Sequence, residues 1–174
     1  MSPQERIEIL PMLEDSRQEF LAAVGSVSEE QAVAKPDPNR WSVLECVEHV
    51  TFVEDRFLKR LETAPRLDAP RVDKDKEADL AQRVPNRTVR AEAPELARPT
   101  GRFRSLAQAM QQFNSNRDAT IRFAKDRAAE LYWLSLEHPR FGAVNGSEFM
   151  VIIAGHARRH AAQIREAKTA LGLV

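Results

Sequence analysis

His156 and His160 form an H-x-x-x-H pair, and His49 lies far earlier in the chain, in a second stretch of helical character. Positions four apart on a helix are stacked neighbours on one face. Two imidazoles so placed reach one metal ion together, and a third from a facing helix completes a three-ligand set. Three neutral ligands leave coordination positions open, the layout of a catalytic rather than a structural centre. The pair shares its stripe with Phe149, Ile153, Gln163 and Ala167, so it is expected to face the interior. A lone buried histidine is usually a satisfied core residue. Two on one stripe each need a hydrogen-bond partner or cost roughly 1–3 kcal/mol, and one shared metal satisfies both.

The remaining polar residues divide between chemistry and structure. His49 falls on the flank of an apolar face beside Cys46 and Val53, compatible with a ligand or a boundary residue. Glu54 sits among Val50 and Phe57, and Arg117 among Phe113 and Ile121. Buried charges are usually paired, so a Glu54–Arg117 ion pair is one reading, and orientation of a ligand histidine by Glu54 is the other. Cys46 reads as an inert small hydrophobe. His138, between Glu137 and Pro139, reads as a structural loop residue, and Arg158 and Arg159 as solvated or interface residues.

Four long helices must position these groups. Ser2-Pro3-Gln4-Glu5 is a capping box with proline at the first helical position, followed by Ile7, Leu10, Phe20, Leu21 and Val24 at helical spacing and Gly25 as a stop. Pro11 kinks this segment or delays its regular start. Ser42 to Glu45 is a second capping box, with Trp41 and Cys46 as its staple. Its helix is expected to end near Ala64-Pro65. Residues 65–100 are charged and punctuated by five prolines, with a short polar helix expected over 73–83. So long a connection lets consecutive helices run parallel. Ser105 to Gln108 opens a third long helix, and Asn145 with Glu148 a fourth, running to about Leu171. No strand pairs are expected. The fold class is all-α, a four-helix bundle forming a single domain over 1–174, with the long crossover between the second and third long helices.

Twenty-six basic residues balance 26 acidic ones, unlike the basic field of a nucleic-acid binder. One cysteine cannot form an internal disulfide. No stretch approaches the ~20 apolar residues of a membrane span, and the charged N-terminal residues argue against a signal peptide. A soluble, cytoplasmic protein with no membrane or nucleic-acid partner is expected.

Trp41-Ser42-Val43-Leu44-Glu45 leads to His49 and Glu54, and Ala93-Pro94 and Pro99-Thr100-Gly101 precede the third long helix. Phe113 and Arg117 lie within that helix. His138-Pro139 and Phe141-Gly142 then precede the run from Gly155 through His156 and His160 to Ile164. In this combination the chain resembles the DinB-like (YfiT-like) metalloenzyme superfamily. The resemblance implies the same bundle, with a divalent metal (zinc, nickel or iron) held by His49, His156 and His160. It implies chemistry with a low-molecular-weight thiol such as bacillithiol, mycothiol or glutathione, transferred to a small electrophilic substrate. Metal-dependent hydrolysis, and a non-catalytic, stress-related metal-binding dimer, are the alternatives. A homodimer is expected, packed through outward-facing Leu44, Phe52, Leu58, Val151 and Ala162.

Overall fold

A computed structural model describes residues 8–173. The capping box at residues 2–5, and Ile7, lie outside the described residues. Six helices follow one another: α1 (Ile9–Val24), α2 (Glu29–Ala32), α3 (Val43–Glu62), α4 (Lys74–Arg83), α5 (Leu106–Asp126) and α6 (Gly146–Ala170). The long ones, α1, α3, α5 and α6, form a four-helix bundle. None of the described helices is long and apolar enough to cross a membrane.

Local chemistry sets the helix ends. Pro11 falls in the first turn of α1, where a missing N–H breaks no bond. Gly25 ends the helix at φ 57°, its N–H on the Leu21 carbonyl. Ser42 Oγ accepts the Glu45 N–H at 3.1 Å and the Glu45 carboxylate accepts the Ser42 N–H at 2.9 Å. Asn145 and Glu148 make the same reciprocal pair at 2.8 and 3.0 Å. The start of α5 differs from a simple capping box. Ser105 Oγ accepts the Gln108 N–H, but Gln108 reaches back to Arg104. The N–H groups of Leu106 and Ala107 go to the Glu29 carboxylate of α2, at 2.7 and 3.0 Å.

Pairings along the helices fix their directions. Asn116 of α5 donates to the Thr51 carbonyl of α3, and Arg117 meets Glu54, so the two helices rise together. Phe57 meets Phe149 and His49 meets His156, so α3 and α6 run oppositely. Arg158 binds Glu19 and Lys168 the Ala23 carbonyl, so α1 and α6 run alike. The long crossover thus delivers parallel α3 and α5.

That crossover straps itself along α6. Asn145 donates to the Arg71 carbonyl at 2.6 Å and Ser147 to Glu77 at 2.7 Å. Leu80 and Val84 join the core beside Val151. Arg159 donates to the Asn86 carbonyl and, at 2.8 Å, to the Val89 carbonyl. Two expectations are corrected here. Arg159 is buried, a holder of the strap rather than a solvated residue. Val151 is fully buried because α4 and the strap cover a face that helical periodicity assigns to solvent, while Leu44, Phe52, Leu58 and Ala162 are half-buried. Gly155 permits the closest approach: a Cβ there would lie 2.7 Å from Val84 Cβ.

A third correction concerns strands. β1 (Leu136–His138) and β2 (Gly142–Val144) form an antiparallel hairpin, Leu136 opposite Val144 and His138 opposite Gly142. Three residues per strand are too few for a period of two to show in the sequence.

Arg117 is fully buried and holds the bundle's centre. Its Nε and Nη2 donate to the two Glu54 oxygens at 2.7 and 2.9 Å, and Nη1 donates to the Leu13 carbonyl and Ser16 Oγ, both at 2.7 Å. Replacing one partner leaves an uncompensated buried charge. Glu54→Leu should cost about 3–5 kcal/mol in denaturant unfolding, and Glu54→Leu with Arg117→Met should recover much of it. Gly155→Ala should cost about 1–3 kcal/mol through overpacking, despite alanine's better helix propensity. Val84→Gly in the same chain, which removes both the Cβ and the Cγ1 that a new methyl would meet, should relieve the overlap; a neutral or stabilising Gly155→Ala contradicts the contact.

Candidate metal centre

The three histidines come together from two antiparallel helices. His49 is in the second turn of α3; His156 and His160 lie one turn apart on α6. His49 Nε2 and His160 Nε2 each lie 3.1 Å from His156 Nε2. Among the described residues, this is the one group of three side chains able to hold a metal ion, its ligand atoms within 4.8 Å of one another.

The other ring nitrogens show which atoms are free to ligate. His49 Nδ1 lies 2.7 Å from the Ala97 carbonyl, which can only accept, so Nδ1 carries the proton and Nε2 a lone pair. His160 Nδ1 lies 2.7 Å from Gln163 Oε1, which assigns the same tautomer. Two lone pairs therefore face His156, and a single N–H on His156 Nε2 cannot serve both well. The protein alone leaves this cluster short of donors, and a cation fits it. Burial is the first cause holding all three imidazoles below the usual histidine range. Neighbouring rings and Arg159 add to it at His156 and His160, and Arg102 at His49. They are thus neutral, as ligation requires. His49 and His160 are buried; His156 is encircled by protein but keeps a partly open surface.

The crossover orients His49. Ala97 ends a 3-10 turn, Glu95–Ala97, held by the residue beside the histidine. The buried Glu48 carboxylate accepts the N–H groups of Thr100 at 3.1 Å, Gly101 at 3.4 Å and Arg102 at 2.7 Å. Gly101, at φ 78°, lets these N–H groups converge on one anion. The Arg102 guanidinium then ties back to the Leu96 and Arg98 carbonyls at 3.1 and 3.0 Å. Trp41 closes the inner side, its ring 4.9 Å from His49 and stacked 6.2 Å from His160. Sequence reasoning missed Glu48, Ala97 and Trp41 in these roles. The available signal was a carboxylate next to a ligand histidine within an apolar stripe.

The other candidates fall elsewhere. Glu54 is corrected from an orienting role: both its oxygens pair with Arg117, and Ala97 and Gln163 orient the rings instead. Cys46 is fully buried in the core, outside the cluster, and burial pushes its thiol up to about 12. His138 is half-buried in the hairpin; burial first, then Arg60 and Arg140, lower it to about 4.

The chain is similar to known proteins over most of its length. YuaE of Bacillus subtilis (strain 168), an uncharacterized protein, is 24% identical over 160 residues, covering 91% of this chain and 96% of the relative. The solved structure of YfiT from Bacillus subtilis matches with a TM-score of 0.63 and 12% identity, covering 100% of this chain and 95% of that one. It is described as a probable metal-dependent hydrolase with an unusual four-helix bundle topology. The family model of the DinB superfamily matches residues 12–164, and the chain belongs to that family.

Proposed function

We propose that His49, His156 and His160 jointly hold one divalent metal ion, and that the protein is a metal-dependent enzyme acting on a small molecule. One observation carries this reading: three neutral imidazoles converge their Nε2 atoms, with no fourth side chain among the described residues completing the set. Two nitrogen ligands at ~2.0–2.1 Å from one ion must lie within about 4 Å of each other, and the 3.1 Å separations satisfy that. Imidazole suits zinc, nickel and iron(II) alike. A bound ion supplies Lewis acidity that lowers the pKa of a thiol or a water molecule. The chain's own part is to fix the rings through Ala97 and Gln163, shield them with Trp41, and leave His156 accessible.

For the reaction, transfer of a low-molecular-weight thiol of the bacillithiol, mycothiol or glutathione type to an electrophile is our first reading. The resemblance to the family supports it; Cys46, fully buried with its thiol raised to about 12, is not the nucleophile, so in this reading the transferred sulfur is that of the external thiol. Hydrolysis is the second reading, favoured by the description of YfiT.

Elemental analysis of the purified protein should find one divalent ion per chain, and His156→Ala or His160→Ala should abolish stoichiometric binding. Unchanged metal content in both variants contradicts the site. Assays of thiol cofactors against generic electrophiles, alongside ester hydrolysis, then separate the two reactions. In either case chelation should abolish activity and metal return restore it.

The metal-free protein should also lose stability in acid. The four histidines have folded values below the ordinary 6.5, His138 at about 4, so the unfolded chain binds more protons in that window. Their stabilisation is complete above about 6.5 and is lost as pH falls towards about 4. Thermal unfolding should show a lower melting temperature at about pH 5 than at about pH 7, with a smaller drop in His138→Gln. A flat profile contradicts the burial of neutral imidazoles.

A further inference from the structure

Of the three clustered histidines, His156 has the open surface, and what borders it is distinctive. The Phe57 ring lies 6.3 Å from His156 and 6.0 Å from His138, and the Phe141 ring lies 4.9 Å from His138. Two guanidiniums flank these rings: Arg60, 5.2 Å from the Phe149 ring centre, and Arg140, 5.2 Å from that of Phe141. Neither is paired with a carboxylate of a described residue. Among the described residues, Arg60 donates only to the Glu137 carbonyl, and the Arg140 side chain makes no hydrogen bond. Asp79 holds Arg83, and the exposed Glu137 side chain makes no ion pair to Arg60. His138 adds a donor. Its Nδ1 accepts the Arg140 N–H at 3.1 Å, so its proton is on Nε2, which has no hydrogen-bond partner among the described residues.

Two unpaired cations and one free N–H beside aromatic walls are complementary to an anion attached to an apolar body. We infer that this patch, formed by Phe57, His138, Phe141, Arg60 and Arg140, receives an organic carboxylate. The acid group sits on the guanidiniums and the apolar body against Phe57 and Phe141. The inference rests on the proposed function in directing the substrate's reactive end towards His156. It extends that reading by naming the substrate class. It also gives the hairpin a task, since β1 and its turn carry His138, Arg140 and Phe141.

Benzoate and its neutral analogue benzamide are suitable probes. Each is titrated into the metal-free whole chain at low ionic strength by calorimetry, with the His138 ring resonances followed by NMR. Benzoate should bind and shift those resonances, and benzamide, which loses both charge pairs, should bind about 25-fold more weakly. Arg60→Gln and Arg140→Gln, each removing one pair, should each weaken benzoate about fivefold. Arg60→Gln also releases the Glu137 carbonyl, so Arg140→Gln, which breaks no hydrogen bond, decides the matter; unchanged thermal unfolding verifies its fold. Equal binding of the two probes, no benzoate binding, or wild-type binding by Arg140→Gln overturns the inference. Because no metal takes part, these results stand apart from those that test the histidine site.

Discussion

Three imidazole nitrogens that meet at one point, each in its neutral form, impose the constraint around which the molecule is arranged. Burial keeps the rings neutral well below the ordinary histidine range, and it requires that every other polar atom of those rings find a partner. His49 finds the Ala97 carbonyl and His160 finds Gln163, which leaves the inward nitrogens as acceptors. A cluster of acceptors without enough protons is unfavourable in the empty protein and favourable around a cation. The bundle supplies what this demands. Antiparallel α3 and α6 bring their stripes face to face, and the Glu54–Arg117 pair fixes α3 against α5 close to the site without entering it.

The crossover is a working part of the centre. Its first half lies along α6, held by Asn145, Ser147 and Arg159, with Val84 pressed against Gly155 one residue before His156. Its second half is captured by Glu48, and the turn so anchored presents the Ala97 carbonyl to His49. Both helices that carry the clustered histidines therefore grip the same strap, and the segment that permits the parallel arrangement of α3 and α5 also sets the tautomer of His49. The hairpin after α5 completes the enclosure by bringing His138 beside Phe57, on the side where His156 remains open.

Much of this was legible in the sequence because it is local. The Ser42–Glu45 and Asn145–Glu148 boxes mark helix starts through contacts three residues apart, and the spacing of His156, His160 and Gln163 places them on one side of α6 by geometry alone. Periodicity assigns a face, however, and does not say what will cover it. Val151 and Arg159 face outward on α6 and are buried because the strap lies over them. Glu48 meets Thr100 and Arg102, and His49 meets Ala97, across about fifty residues of chain, and no pattern in either segment announces the other. Glu54 was legible as a buried acid in need of a partner; that both its oxygens would be used by Arg117 depends on the register of α3 against α5. The hairpin was hidden by its brevity.

X-ray absorption spectroscopy of the zinc-loaded protein tests the central claim most directly, because it counts the ligands. The account predicts three imidazole nitrogens at ~2.0–2.1 Å and no sulfur. Two or fewer imidazoles, or a sulfur at ~2.3 Å contributed by Cys46, would contradict it.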